Sequence, residues 1–286
     1  MANSGRVSLR RNISNGVANF LCIAAVILVL APLCAIFFYL IVKGAGSINL
    51  AFITHTPKPV GETGGGFGNA IVGSMYILGI ASLIGVPLGV GAGIYLSEYG
   101  PGMFCNVIRF TADVLNGVPS IVVGIVAYSL IVLQQKHFSA LAGGTALAIM
   151  MVPTITRATE EMLLLVPHSI REAALGLGIP QWRSTLSITL RTALPGVVTG
   201  LMLAFARVAG ETAPLLFTAF GNQYWNFKMD QPTAALPLQI FVYAISPYED
   251  WHKQAWAGAL ILILLIVVSV ALVRYVTSRG VLRGNH

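Results

Sequence analysis

The stretch Arg171–Pro195, REAALGLGIPQWRSTLSITLRTALP, is the one polar, arginine-bearing interruption in the second half of a very apolar chain, and the rest of the sequence is ordered around it. Ser169 and Glu172 stand in capping-box spacing, Ala173, Ala174 and Leu175 are good helix formers, and Gly178 can supply a left-handed stop. A second helix is expected from Pro180, a favoured first-turn residue. The pattern predicts two short helices hinged at glycine and bounded by Pro167 and Pro195, a compact knob able to move as a rigid lever.

Outside this stretch the composition excludes an ordinary soluble domain. Of 286 residues 56% are hydrophobic and only 9% charged, where soluble domains carry about 25% charged residues; the mean hydropathy is +0.80. The chain is therefore an integral membrane protein. Its formal charge of +7 does not point to nucleic acid, because no basic run is interleaved with aromatics. The three cysteines form no framework: Cys22 and Cys34 lie about 18 Å apart along one apolar helix, beyond disulfide reach. No Cys/His spacing supports a metal site.

Six apolar spans are expected, at about residues 19–42, 69–96, 110–133, 140–164, 196–220 and 255–275, each near the roughly 20 residues that a bilayer core requires. The first is too long for a cleaved signal core and should remain as an anchor. Gly64, Gly65 and Gly66 form a loop with no following Lys-Ser or Lys-Thr, which argues against a phosphate-cradling P-loop. Gly85, Gly89 and Gly93 flatten one face of the second span for close helix packing. Asp113, Asn116, Pro119 and Ser120 suggest a helix interface or cavity in the third. Residues 234–245 are too short to cross and read as interfacial or re-entrant.

Basic residues test the orientation. With six spans and a cytoplasmic N-terminus, Arg6, Arg10, Arg11, Arg109, Arg157, Arg171, Arg183, Arg191, Arg274, Arg279 and Arg283 fall inside. Lys43, Lys58, Lys136, Lys228 and Lys253 fall outside, in accord with the positive-inside rule. Both termini and the 171–195 stretch are then cytoplasmic.

Arg207 belongs to neither side, since it sits near the middle of the fifth span. A charge there costs about 2.5–3.5 kcal/mol on insertion scales, so it should face protein or water and have a partner. Glu211, four residues on, is the expected partner on the same helical face, with Pro214 kinking the helix beyond it. A structural ion pair is one reading and a station on a substrate path the other. A planar guanidinium favours oxyanions, so the residues hint at an anionic substrate.

Glu172, Ala173, Ala174, then Gly178, Ile188 and Leu190 at their spacing resemble the EAA motif of the inner-membrane permeases of ATP-binding-cassette importers. Arg191 stands where that motif has a proline. The resemblance implies the type I importer permease fold and a loop, with Arg171 beside the motif, that docks in a cleft of a cytoplasmic ATPase. No G-x-x-x-x-G-K-[ST] segment occurs, so the chain itself is read as non-catalytic and without a cofactor, ATP-Mg belonging to partner subunits. GGGFGNAIVGS (Gly64–Ser74), DVLNGVPSIVVGI (Asp113–Ile125), RVAGETAPLLFTA (Arg207–Ala219) and LPLQIFVYAISPYEDWHKQAWAGAL (Leu236–Leu260) are similar to the phosphate permease subunits of the PstA family. That similarity implies inorganic phosphate as substrate, with Arg207 and Glu211 on its path. It also implies a PstC-like sister permease, two PstB-like ATPase subunits and an extracytoplasmic PstS-like binding protein.

The expected architecture is an all-α, six-span protein of the bacterial inner membrane with both termini inside. Residues 1–16 form a basic arm, 17–66 the first crossing and an outer loop, 67–275 the permease core with its coupling loop at 165–195, and 276–286 a tail. A permease for another oxyanion, an ion-coupled secondary transporter and a membrane scaffold are the competing readings.

Overall fold

The computed structural model describes residues 3–62, 64–100 and 102–283, with side chains given for all of these except 3–10, 12, 13 and 278–283. Pro101 and the side chains of Arg6, Arg10, Arg279 and Arg283, all part of the expected charge and turn pattern, fall outside the described residues. Apart from an isolated bridge between Phe220 and Thr233, the described regular structure is helical: α1 (Asn3–Gly44), α2 (Leu50–Thr54), α3 (Gly68–Glu98), α4 (Met103–Gly117), α5 (Ser120–Gln135), α6 (Ala140–Leu164), α7 (His168–Gly176), α8 (Gln181–Ala209), α9 (Ala213–Thr218), α10 (Leu236–Ala244) and α11 (Glu249–Arg283). Five of them, α1, α3, α6, α8 and α11, are long and apolar enough to cross a membrane, and the bent pair α4 and α5 supplies a sixth crossing if taken as one.

The centre of the bundle is the pairing of α3 with α6, which run parallel. Glycine spacing decides it. A Cβ built on Gly89 would stand 2.7 Å from Cβ of Ile155, and one on Gly93 would stand 2.6 Å from Cβ of Thr159. Lower down, Gly144 of α6 faces Ile80 in the same way. The small-residue stripe therefore lets the two backbones approach, as expected for helices that gain no hydrophobic drive from lipid. Gly89→Val should cost about 1–3 kcal/mol through overpacking and lower the melting temperature of the purified protein in detergent. Gly91→Ala on the same helix meets nothing within 4 Å and should leave that temperature unchanged.

Two expected spans are interrupted. Instead of one straight helix over 110–133, α4 and α5 meet at 105°. Val118 and Pro119 are extended there, with ψ of 132° and 134°, because the proline ring disfavours the helical region for the residue before it. The fifth span also stops early, since α8 ends at Ala209 and Pro214 opens α9 rather than kinking a continuous helix. Gly210 has low helix propensity, and Pro214 has no N–H to return to it.

From Phe220 the chain folds back over the outer end of the bundle. The N–H groups of Ser139, Ala140 and Leu141, which α6 cannot satisfy itself, donate to the carbonyls of Thr218, Gln231 and Met229. Asn69 Nδ2 donates to the Asn222 carbonyl at 2.7 Å, and Leu236 N to Ser74 Oγ at 2.6 Å. The glycine loop before α3 is engaged as well: Gly66, Phe67 and Gly68 donate to the carbonyls of Thr56, Phe52 and His55. The amides of residues 66–68 are thus occupied by backbone. Helix α10 is short and partly buried against α11, and α1 meets the rest near its outer end, where Gly44 and Tyr39 pack on Trp256.

Candidate functional site

Antiparallel packing of α8 on α6 sets the depth of Arg207. Gly196 lies against Met162 and Gly200 against Ala158. The register then brings Ala204 and Val208 into the central core with Met151 and Ile155. Arg207 flanks this buried stripe at the same level, near the middle of the bundle, with its side chain exposed. The expected partnership with Glu211 is not formed: Glu211 lies beyond the end of α8, its N–H returning to the Val208 carbonyl. Among the described residues no ion pair or hydrogen bond involves either side chain. The helix break removes the four-residue register that would have joined them, and leaves the guanidinium fork open to a ligand.

Toward the cytoplasmic end lies a polar ladder that the sequence showed only in pieces. Thr154 Oγ1 donates to Asn116 Oδ1 at 2.8 Å, which answers the expectation of an interface there. One turn further, Arg157 pairs with Asp113 at 3.0 Å and with Glu160 at 2.9 Å, and Arg109 Nε reaches Glu160 at 2.6 Å. Glu160, 2% exposed, thus accepts from two arginines, which is how a buried carboxylate is tolerated. Arg109 also donates to the carbonyls of Leu96 and Gly100 at the end of α3, where a cation is favoured by the helix dipole. The spacing of Arg157 and Glu160 within an apolar helix was the signal available; their partners on α4 were not.

The EAA loop differs from expectation in two respects and agrees in one. Ser169 and Glu172 make no capping box, because α7 begins at His168 after Pro167 and carries no side-chain cap. Its C-terminus is a Schellman turn, as Gly178 predicts: Gly178 has φ of +78°, with Ile179 N donating to Ala174 O and Gly178 N to Leu175 O. The second arm is not a separate helix. It begins at Gln181, passes through a π-turn at Thr185–Thr189, and runs on as α8 across Arg191 and Pro195. Arg191 lies inside this continuous helix, so the arm is fused to the membrane helix.

Within this loop Glu172, Ala173 and Gly178 are exposed, Ala174 is buried against the second arm, and Ile188 and Leu190 are half-buried. Arg171 turns the other way, into the bundle, with Nη2 donating to the Leu163 carbonyl at 2.8 Å. Between the arms is a cavity of about 230 Å³ bordered by Glu98, Arg171, Glu172 and Gln181. The exposed motif residues Glu172, Ala173 and Gly178 lie on the outward side of the loop, with Arg171 on the opposite side.

Residues 85–280 match the family described as binding-protein-dependent transport system inner membrane component. The phosphate transport system permease protein PstA of Yersinia pestis is 44% identical over 94% of this chain and 92% of the relative. Its counterpart from Haemophilus influenzae is 46% identical over 85% and 86%. The chain belongs to the PstA family of permeases. As a member it is a multi-pass inner-membrane component of an ABC transport system, working with ATPase and substrate-binding components. A solved structure of the MetNI methionine ABC transporter in inward-facing conformations shares the fold, with TM-score 0.53, 17% identity and coverage of 77% of this chain and 94% of that one. The type I importer permease architecture expected for the PstA family is therefore present.

Proposed function

We infer that the chain is the permease subunit of an ATP-driven inorganic phosphate importer and forms half of the translocation pore. The observation that carries this reading is the 44% identity to a PstA permease over 94% of the chain. An unpaired, exposed arginine at half depth supports the anionic character of the substrate, because a guanidinium fork matches two phosphate oxygens. Arg207 is the proposed station; Glu211, on the loop beyond α8, would compete for the fork and help the anion leave.

The partners in this reading are a PstC-like sister permease, two PstB-like ATPase subunits that hold ATP-Mg, and a PstS-like binding protein. With no Walker-type segment, the chain would not hydrolyse ATP at such a site itself. Its EAA loop would seat Glu172, Ala173, Gly178, Ile188 and Leu190 against the ATPase. Closure of the ATPase dimer then swings α7 and the fused α8, exposing Arg207 alternately to the two sides.

Reconstitution of the four components in vesicles tests this. Phosphate uptake should require ATP and the binding protein, persist when ion gradients are collapsed, and resist competition by sulfate or molybdate. Uptake of another oxyanion in preference to phosphate would overturn the substrate, and gradient-driven uptake without ATP would overturn the transporter class.

A further inference from the structure

Helix α7 joins α6 through the short linker of Leu165, Val166 and Pro167, and it has no covalent link to α3. A linker alone would let a docked α7 swivel while the bundle stayed still. Val166 of the linker and Ile170 of α7 pack with Leu163, Ala193 and Val197, which ties α7 to α6 and α8, and Arg171 adds the polar tie that also reaches α3. From the middle of α7 its Nη2 donates to the carbonyl of Leu163 at the end of α6 and lies 3.4 Å from Ser97 Oγ, while Nη1 stands 3.5 Å from Glu98 Oε1 at the end of α3. One guanidinium thus touches the cytoplasmic ends of both helices of the central pair.

The Glu98 side chain is 8% exposed and that of Arg171 15%. Burial of this kind makes the pair sensitive to loss of either partner, since the other is left as an uncompensated charge. The contact also has slack: Glu98 Oε1 and Arg171 Nε are both buried without a hydrogen bond.

We propose that Arg171 is a positioning residue that braces the coupling helix α7 to α3 and α6, so that movement imposed by the ATPase reaches the α3–α6 pair rather than being lost in the 165–167 linker. The proposal rests on the coupling role given to the loop above, and assigns Arg171 to the inside of the permease rather than to the ATPase contact. Because α3 and α6 are locked by their glycine stripe, displacement at Glu98 and Leu163 moves them as one body.

The test is a double-mutant cycle in the full complex. Arg171→Met should lower the phosphate moved per ATP hydrolysed by at least about tenfold, from the loss of charge-assisted bonds. Glu98→Gln, which keeps the Leu163 contact, should lower it about threefold, and the double variant should be no worse than Arg171→Met. A second readout needs no phosphate. With Cys22 and Cys34 replaced by serine, spin labels at Ser169 on α7 and Leu88 on α3 should keep their separation when ATP binds in the braced complex, and change it in Arg171→Met. Equal distance changes in both, additive effects on the coupling ratio, or failure of both single variants to co-purify with the ATPase would each overturn the brace. Absence of phosphate uptake in the otherwise unmutated complex, with the distance behaviour intact, would overturn the functional reading and leave the brace standing.

Discussion

Arg207→Ala is expected to reduce phosphate uptake by at least about 100-fold while the permease still assembles with its ATPase. A bidentate guanidinium contributes two charge-assisted hydrogen bonds of roughly 1.5–3 kcal/mol each, and about 1.4 kcal/mol corresponds to a factor of ten. The structure gives a reason to expect that the loss falls on transport alone. Arg207 is exposed within the chain, and among the described residues it makes no ion pair or hydrogen bond, so truncation deletes no polar contact of the fold. Arg207→Lys keeps the charge and loses the fork, and should retain intermediate uptake. Uptake rates in vesicles, set beside the yield of ATPase co-purified with each variant, decide the matter. Normal uptake by the alanine variant would remove Arg207 from the path.

Glu172→Ala is expected to weaken association with the ATPase by about 10–100-fold, the range of one charge-assisted bond at an interface. Had Glu172 capped α7, the same change would also have destabilised the loop. It does not cap: it lies inside a helix whose N-terminal flank is Pro167, and its side chain is exposed. Alanine is the better helix former, so the melting temperature of the isolated permease should hold or rise slightly while co-purified ATPase and ATP-dependent uptake fall. A fall in melting temperature with ATPase binding intact would show that Glu172 serves the fold and not the docking.

Much of the architecture was legible because it depends on local pattern. Charge placement and span length gave the membrane class and sidedness, and the structure gathers Arg109, Arg157 and Arg171 at one end of the bundle with Glu98, Asp113 and Glu160. Gly85, Gly89 and Gly93 announced a helix contact, and their partners on α6 are where a parallel pair puts them. The two interrupted spans also had local signals, Gly117 before Val118 and Pro119, and Gly210 four residues before Pro214. Long apolar runs masked both, since hydropathy averages over the breaks.

The sequence by itself determined that this is a membrane permease of the PstA family, that its EAA loop faces the cytoplasm, and that Arg207 is a charge out of place. Composition, periodicity and spacing are properties of neighbouring residues, so a linear reading reaches them. Tertiary structure alone decided which way the charges turn. Among the described residues Arg207 has no partner, because α8 ends before Glu211; Glu160 is buried with its charge matched because α4, turned 105° from α5, lies on α6 and brings Arg109 to it. Arg171, adjacent in sequence to the exposed Glu172, points into the bundle because the ends of α3 and α6 converge behind it. Those partners are 73 and 8 residues away in the chain, and only packing of the helices selects them.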